Sequence, residues 1–118
     1  MPNPIKRGMS DTFLVTGASK GLGRSIALSL ANSGKSVIAL ARSSPDLDAL
    51  NDLLKQISPN SQVVSCDLAS KKDILNAVGK IKRDFKHLSG IVHHAGTISP
   101  IENMLDVYLS DKSGIEFV

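Results

Sequence analysis

Tryptophan is absent from this chain, and one tyrosine and three phenylalanines are its only other large aromatics. That set offers no stacking platform for single-stranded nucleic acid, and the net charge of +3 is spread along the chain rather than gathered into a patch. Nucleic acid is therefore not an expected partner. Cysteine occurs once, at Cys66, which excludes an internal disulfide and a cysteine metal cluster, so a reducing, cytoplasmic setting is expected. No apolar run approaches the ~18 residues of a membrane helix. The opening "MPNPIKRGMS" has no apolar segment of a signal peptide. Residues 1–10 read as a flexible tail, and residues 11–118 as one domain.

What is present is ordinary globular material: 42% apolar and 21% charged residues, enough for one modest core. Its order is regular. "TFLVT" (12–16) is a short β-favouring apolar run, and from Leu22 to Ser33 the spacing turns helical, with Leu22, Ile26, Ala27 and Leu30 on one face. Gly34 stands where a C-terminal capping glycine belongs. "SVIALA" (36–41) is a second strand, followed by a helical stripe of Leu47, Leu50, Leu54 and Ile57 that Ser58-Pro59 closes. "QVVSC" (62–66) is a third strand. Ser70 with Asp73 resembles a capping box ahead of a helix lined by Ile74, Val78, Ile81 and Phe85. "LSGIVHH" (88–94) is the fourth strand.

Strands that are apolar throughout and alternate with helices predict an α/β, Rossmann-like, doubly wound parallel sheet with both faces covered. Right-handed crossovers order its strands 3-2-1-4.

Between the first strand and the first helix lies "TGASKGLG", Thr16 to Gly23. Its three glycines permit a tight turn and a close backbone approach, and the helix start they precede exposes N–H groups that suit a pyrophosphate. Glycine triplets are common in loops, but one that directly follows a strand and opens a helix is the dinucleotide-binding context.

At these residues the chain resembles the short-chain dehydrogenase/reductase family, whose loop has the same Thr-Gly-x-x-x-Gly-x-Gly spacing. Asp67 falls where the family places an acidic residue near the adenine, and Ala95-Gly96 where the family has Asn-Asn-Ala-Gly. The resemblance spans Thr12 to about Pro100 and implies a partial NAD(P)-binding Rossmann domain. The cofactor-binding residues it implies are Gly17, Ser19, Lys20, Gly21, Leu22, Gly23, Arg42, Ser43, Asp67, Leu68, His94, Ala95 and Gly96.

Charge argues for the phosphorylated cofactor. An NAD site usually carries an acidic residue at the end of the second strand. Here that position is Arg42, followed by Ser43 and Ser44, and Lys20 in the loop is a second cation. Two positive charges suit a 2′-phosphate, so NADP(H) is expected over NAD(H).

The chain departs from the family at His93-His94, which stand in place of two asparagines. Neighbouring strand residues face opposite ways, so the pair is not expected to chelate a metal but to bond to backbone or water. Cys66 has no evident activating partner and is expected to be a small buried side chain. Tyr108 and Lys112 in "YLSDK" imitate the family's Tyr-x-x-x-Lys pair, but they come only twelve residues after Gly96, with no fifth strand between. Turn-forming Ser110, Asp111, Ser113 and Gly114 argue against a helix joining them, so no catalytic residue is assigned.

"GIEFV" (114–118) resembles the start of an apolar helix, and a chain ending there is expected to lack the family's proton-transfer half. The edge of "GIVHH" is then expected to be bare, favouring self-association or pairing with a full-length relative. The leading reading is an NADP(H)-binding polypeptide of this family, whose reaction is hydride transfer with a carbonyl or alcohol substrate. The alternatives are a non-catalytic nucleotide-binding or interaction module, and a remnant of a disrupted oxidoreductase gene.

Overall fold

The computed structural model describes residues 11–94, Met104, Asp106 and the short strand Glu116–Phe117. The N-terminal tail lies outside the described residues.

Among the described residues, three α-helices alternate with the strands of a parallel sheet. They run β1 (Thr12–Thr16), α1 (Gly21–Asn32), β2 (Ser36–Ala41), α2 (Pro45–Ile57), β3 (Gln62–Ser65) and α3 (Lys71–Asp84). The expected fourth strand is divided into β4 (His87–Leu88) and β5 (Gly90–Val92). The main sheet has the order β3-β2-β1-β5, which is the expected 3-2-1-4 with β5 in the fourth place. Its register sets Phe13 beside Val37 and Gly90, and Leu40 beside Val64.

Alternate strand residues serve opposite faces. Val15, Val37 and Ala39 pack with Ala27 and Ala31 of α1 and with Leu50 and Leu54 of α2. Leu14, Ile38, Leu40 and Val64 face the other way, onto Ile74, Ala77, Val78 and Ile81 of α3, with Leu88 and Met104 completing that layer. Every residue of β2 is buried, as a central strand covered on both sides must be.

Local chemistry accounts for the helix limits. Gly34, at φ +87°, ends α1: its N–H bonds to the Ala31 carbonyl and that of Lys35 to the Leu30 carbonyl, the paired closure that needs a left-handed residue. Ser44 caps α2 by accepting from the Leu47 N–H at 3.1 Å, with Pro45 next to it. Ser70 caps α3 from the Asp73 N–H at 3.2 Å. The expected capping box is only half formed, because the Asp73 carboxylate accepts instead from the Asp67 N–H at 3.0 Å.

Three expectations need correction. Leu22 is 59% exposed; Ile26, Ala27 and Leu30 do pack against the core, but the fully buried positions of α1 are small, Gly23, Ala27 and Ala31. The strand break falls at Ser89, whose Oγ accepts from the Thr12 N–H while its own N–H bonds to the Thr12 carbonyl; the side chain takes over a ladder bond. Finally, Glu116–Phe117 form a strand, β6, rather than a helix. It pairs in parallel with β4, ahead of the "GIVHH" stretch, whose strand β5 pairs with β1. Backbone pairing outweighs the local pattern there.

A buried serine fastens the start of β2. Ser61 is fully buried, and its Oγ accepts from the Val37 N–H at 2.9 Å. Ser61→Ala leaves that N–H buried without a partner and should lower stability by about 1–3 kcal/mol, read as a lower urea midpoint at unchanged slope.

Candidate functional site

In open α/β sheets, ligands bind beyond the carboxyl ends of the strands. A cleft of about 620 Å³ lies there, beyond β1, β2 and β3. A second cleft, of about 600 Å³ and lined by Thr12, Ser36, Gln62 and His87, sits at the opposite end of the strands and away from the glycine turn.

The first wall of the carboxyl-end cleft is the turn between β1 and α1. Gly17 (φ +62°) and Gly21 (φ +57°) both take a left-handed backbone that other residues rarely adopt. Gly23 has an ordinary backbone but no room: a Cβ there would lie 2.1 Å from the Gly17 carbonyl oxygen. The turn thus holds the start of α1 directly over the end of β1. A Cβ at Gly21 would meet nothing within 4 Å, so that side of the turn is open.

The start of α1 differs from those of α2 and α3. Lys20 occupies its cap position without a side-chain cap, and its first turn carries no acidic residue. Its first N–H groups and the positive end of its dipole are therefore left for another acceptor.

The second wall is the end of β2, with Arg42, Ser43 and Ser44, and the third follows β3, with Cys66, Asp67, Leu68 and Ala69. The Asp67 carboxylate accepts from the Ala69 N–H at 2.9 Å, and the Asp67 carbonyl from the Ser70 N–H at 2.9 Å. Together with the Asp73 bond, these contacts fasten the loop to α3. Lys20 and Arg42 both line the cleft, and the Lys20 ammonium lies 3.9 Å from the Asp46 carboxylate.

Of the residues expected from sequence, Gly17, Ser19, Lys20, Arg42, Ser43, Asp67 and Leu68 meet in this cleft. Gly21 and Gly23 shape the adjoining turn without lining the cleft, and Leu22 is exposed at the helix start. Ala95, Gly96 and the Tyr108–Lys112 stretch lie outside the described residues. His94 sits beside β1 instead: its N–H donates to Thr16 Oγ1 at 3.0 Å. The same hydroxyl lies 2.7 Å from His93 Nδ1, so the His93 ring bonds to a side chain of β1. Thr16 is fully buried and joins the ends of two strands beneath the glycine turn.

Ser44, Cys66, Thr16 and Asp73 were not expected at the site. Ser44 carried a readable signal, a serine directly before proline at a helix start. Thr16 and Asp73 carried none, because their partners are remote in sequence.

Burial, with Asp73 and Asp67 nearby, pushes the Cys66 thiol up from 9.0 to about 11. A raised thiol pKa stabilises the fold fully below pH 9 and progressively less as pH rises from 9 towards 11. At pH 8 the folded chain should carry roughly a hundredfold less thiolate than the unfolded chain, and react correspondingly more slowly with a disulfide reagent.

Gly23→Ala should cost about 1–3 kcal/mol or more by overpacking helix against strand. By contrast Gly79→Ala, on α3 with nothing within 4 Å of the added Cβ, should gain roughly 0.4–1 kcal/mol. Paired denaturation curves check both.

The model of the short chain dehydrogenase family matches residues 11–113. An NADPH-dependent pterin aldehyde reductase from Arabidopsis thaliana is 37% identical over 104 residues, 88% of this chain and 43% of that protein. A short chain dehydrogenase structure from Salmonella enterica serovar Typhi has a TM-score of 0.76 at 21% identity, covering 97% of this chain and 58% of that one. Another from Escherichia coli CFT073, complexed with NADPH, has a TM-score of 0.75 at 22% identity, covering 89% and 55%. The chain spans less than half the length of the curated relatives it matches. With the match beginning ahead of β1 and running through the whole of the four-stranded sheet, the chain belongs to the short chain dehydrogenase family.

Proposed function

We propose that the carboxyl-end cleft binds NADP(H), and that this chain is the cofactor-binding part of an oxidoreductase acting on a carbonyl or alcohol group. The observation that carries the reading is the presence of two cations, Lys20 and Arg42, in one cleft beside the start of α1, which has no side-chain cap. The residues present fit the cofactor. Free N–H groups and the helix dipole at Gly21 to Gly23 suit the pyrophosphate, and the open side of Gly21 leaves space for it. Arg42 and Lys20 suit the 2′-phosphate, with Ser43 as a neutral donor beside them. Asp67 and Leu68 border the space for the adenosine.

When bound, the nicotinamide supplies or accepts the hydride. The residues of this chain hold and orient the cofactor, and their charges choose between its two forms. Further support comes from the Arabidopsis relative, named as NADPH-dependent, and from the Escherichia coli structure solved with NADPH. A buried, unreactive thiol at Cys66 suits a reducing compartment such as the cytoplasm.

Titration calorimetry should give tighter binding of NADPH than of NADH. Arg42→Ala should weaken NADPH by roughly ten- to a hundredfold, the worth of a charge-assisted phosphate contact, and leave NADH nearly unchanged. Failure to bind either dinucleotide would overturn the site. NADPH-dependent turnover on a panel of aldehydes and ketones tests the reaction, and binding without turnover would make the chain a nucleotide-binding module.

A further inference from the structure

Resting on that reading, we propose that Asp46 moderates the preference for the phosphorylated cofactor by competing with the 2′-phosphate for Lys20. The two cations of the cleft keep different company. Lys20 Nζ stands 3.9 Å from Asp46 Oδ2, whereas Arg42 has no ion-pair partner among the described residues. Asp46 is placed beside Lys20 by the helix that carries it. It lies in the first turn of α2, where an acidic side chain is electrostatically favoured, and the turn is set by the Ser44 cap and by Pro45. The backbone of Lys20 is placed from its own side, as the residue that opens α1. The pair therefore spans the gap between two helix starts, at the edge of the cleft that the phosphate is proposed to enter.

A 2′-phosphate seated between Arg42 and Lys20 must draw the ammonium away from Asp46 and bring its own negative charge close to that carboxylate. A 2′-hydroxyl does neither. Asp46 thus acts against NADP(H) while leaving NAD(H) untouched, which makes it a specificity-determining residue rather than a binding one. The pair is largely exposed, at 77% and 59%, so water and salt screen it and the effect is modest.

The test measures dissociation constants of NADPH and NADH on the full chain, with and without Asp46→Asn. NADPH should bind about two- to fivefold more tightly to the variant while NADH stays unchanged, and the NADPH gain should shrink in a Lys20→Met background. Asp46→Ser repeats the measurement should asparagine disturb the helix start. Unchanged or weaker NADPH binding, or an equal shift for both dinucleotides, overturns the inference alone. A wild-type chain that binds neither removes the nucleotide site and this inference with it.

Discussion

Between Gly17 and Gly23 two stretches of backbone lie so close that no side chain fits between them, and this contact decides the geometry of everything beyond the first strand. It draws α1 onto the sheet, where Gly23, Ala27 and Ala31 are its fully buried residues and Ile26, Leu28 and Leu30 pack around them. It turns Leu22 outward, against what helical spacing alone suggests. It also aims the start of α1 at the carboxyl ends of the strands, where Thr16 ties β1 to the residues that follow β5. Packing and ligand geometry are set here by the same missing Cβ.

The described helix starts divide their chemistry unevenly. Ser44 and Ser70 satisfy the openings of α2 and α3 from within the chain. The opening of α1 lacks such a side chain, and a cation, Lys20, stands at its cap instead. A protein that satisfies two helix starts internally and keeps cations beside the third concentrates its affinity for anions in one place. Asp46 draws on the same field from the neighbouring helix, so the charge of the cleft is a balance between Lys20 and Arg42 on one side and the carboxylates of Asp67 and Asp46 on the other.

Serines do much of the fastening around the sheet. Ser89 replaces a ladder bond with side-chain bonds to Thr12 and Asp11, dividing the expected fourth strand in two. Ser61 supplies an acceptor at the start of β2 that no neighbouring strand provides. Asp73 acts similarly on the loop after β3, leaving the capping role its spacing suggests in order to hold the Asp67 amide. In each case a short polar side chain offers the backbone an alternative to regular pairing.

The alternation of apolar strands with amphipathic helices, the 3-2-1-4 order, the glycine turn, the left-handed Gly34 and the two serine caps were all determined by the sequence alone. They depend on residues within a few positions of one another, or on a chirality rule that holds for any such chain. The cation pair Lys20 and Arg42 was legible for the same reason, each standing at a fixed offset from a strand end. Only the tertiary structure decided that the fully buried positions of α1 would be small residues, that Ser89 would break a strand, and that β6 would pair with β4. It alone joined Thr16 to His93, and Lys20 to Asp46. Each of these rests on a distance between residues far apart in the chain, and a linear pattern records spacing, not proximity.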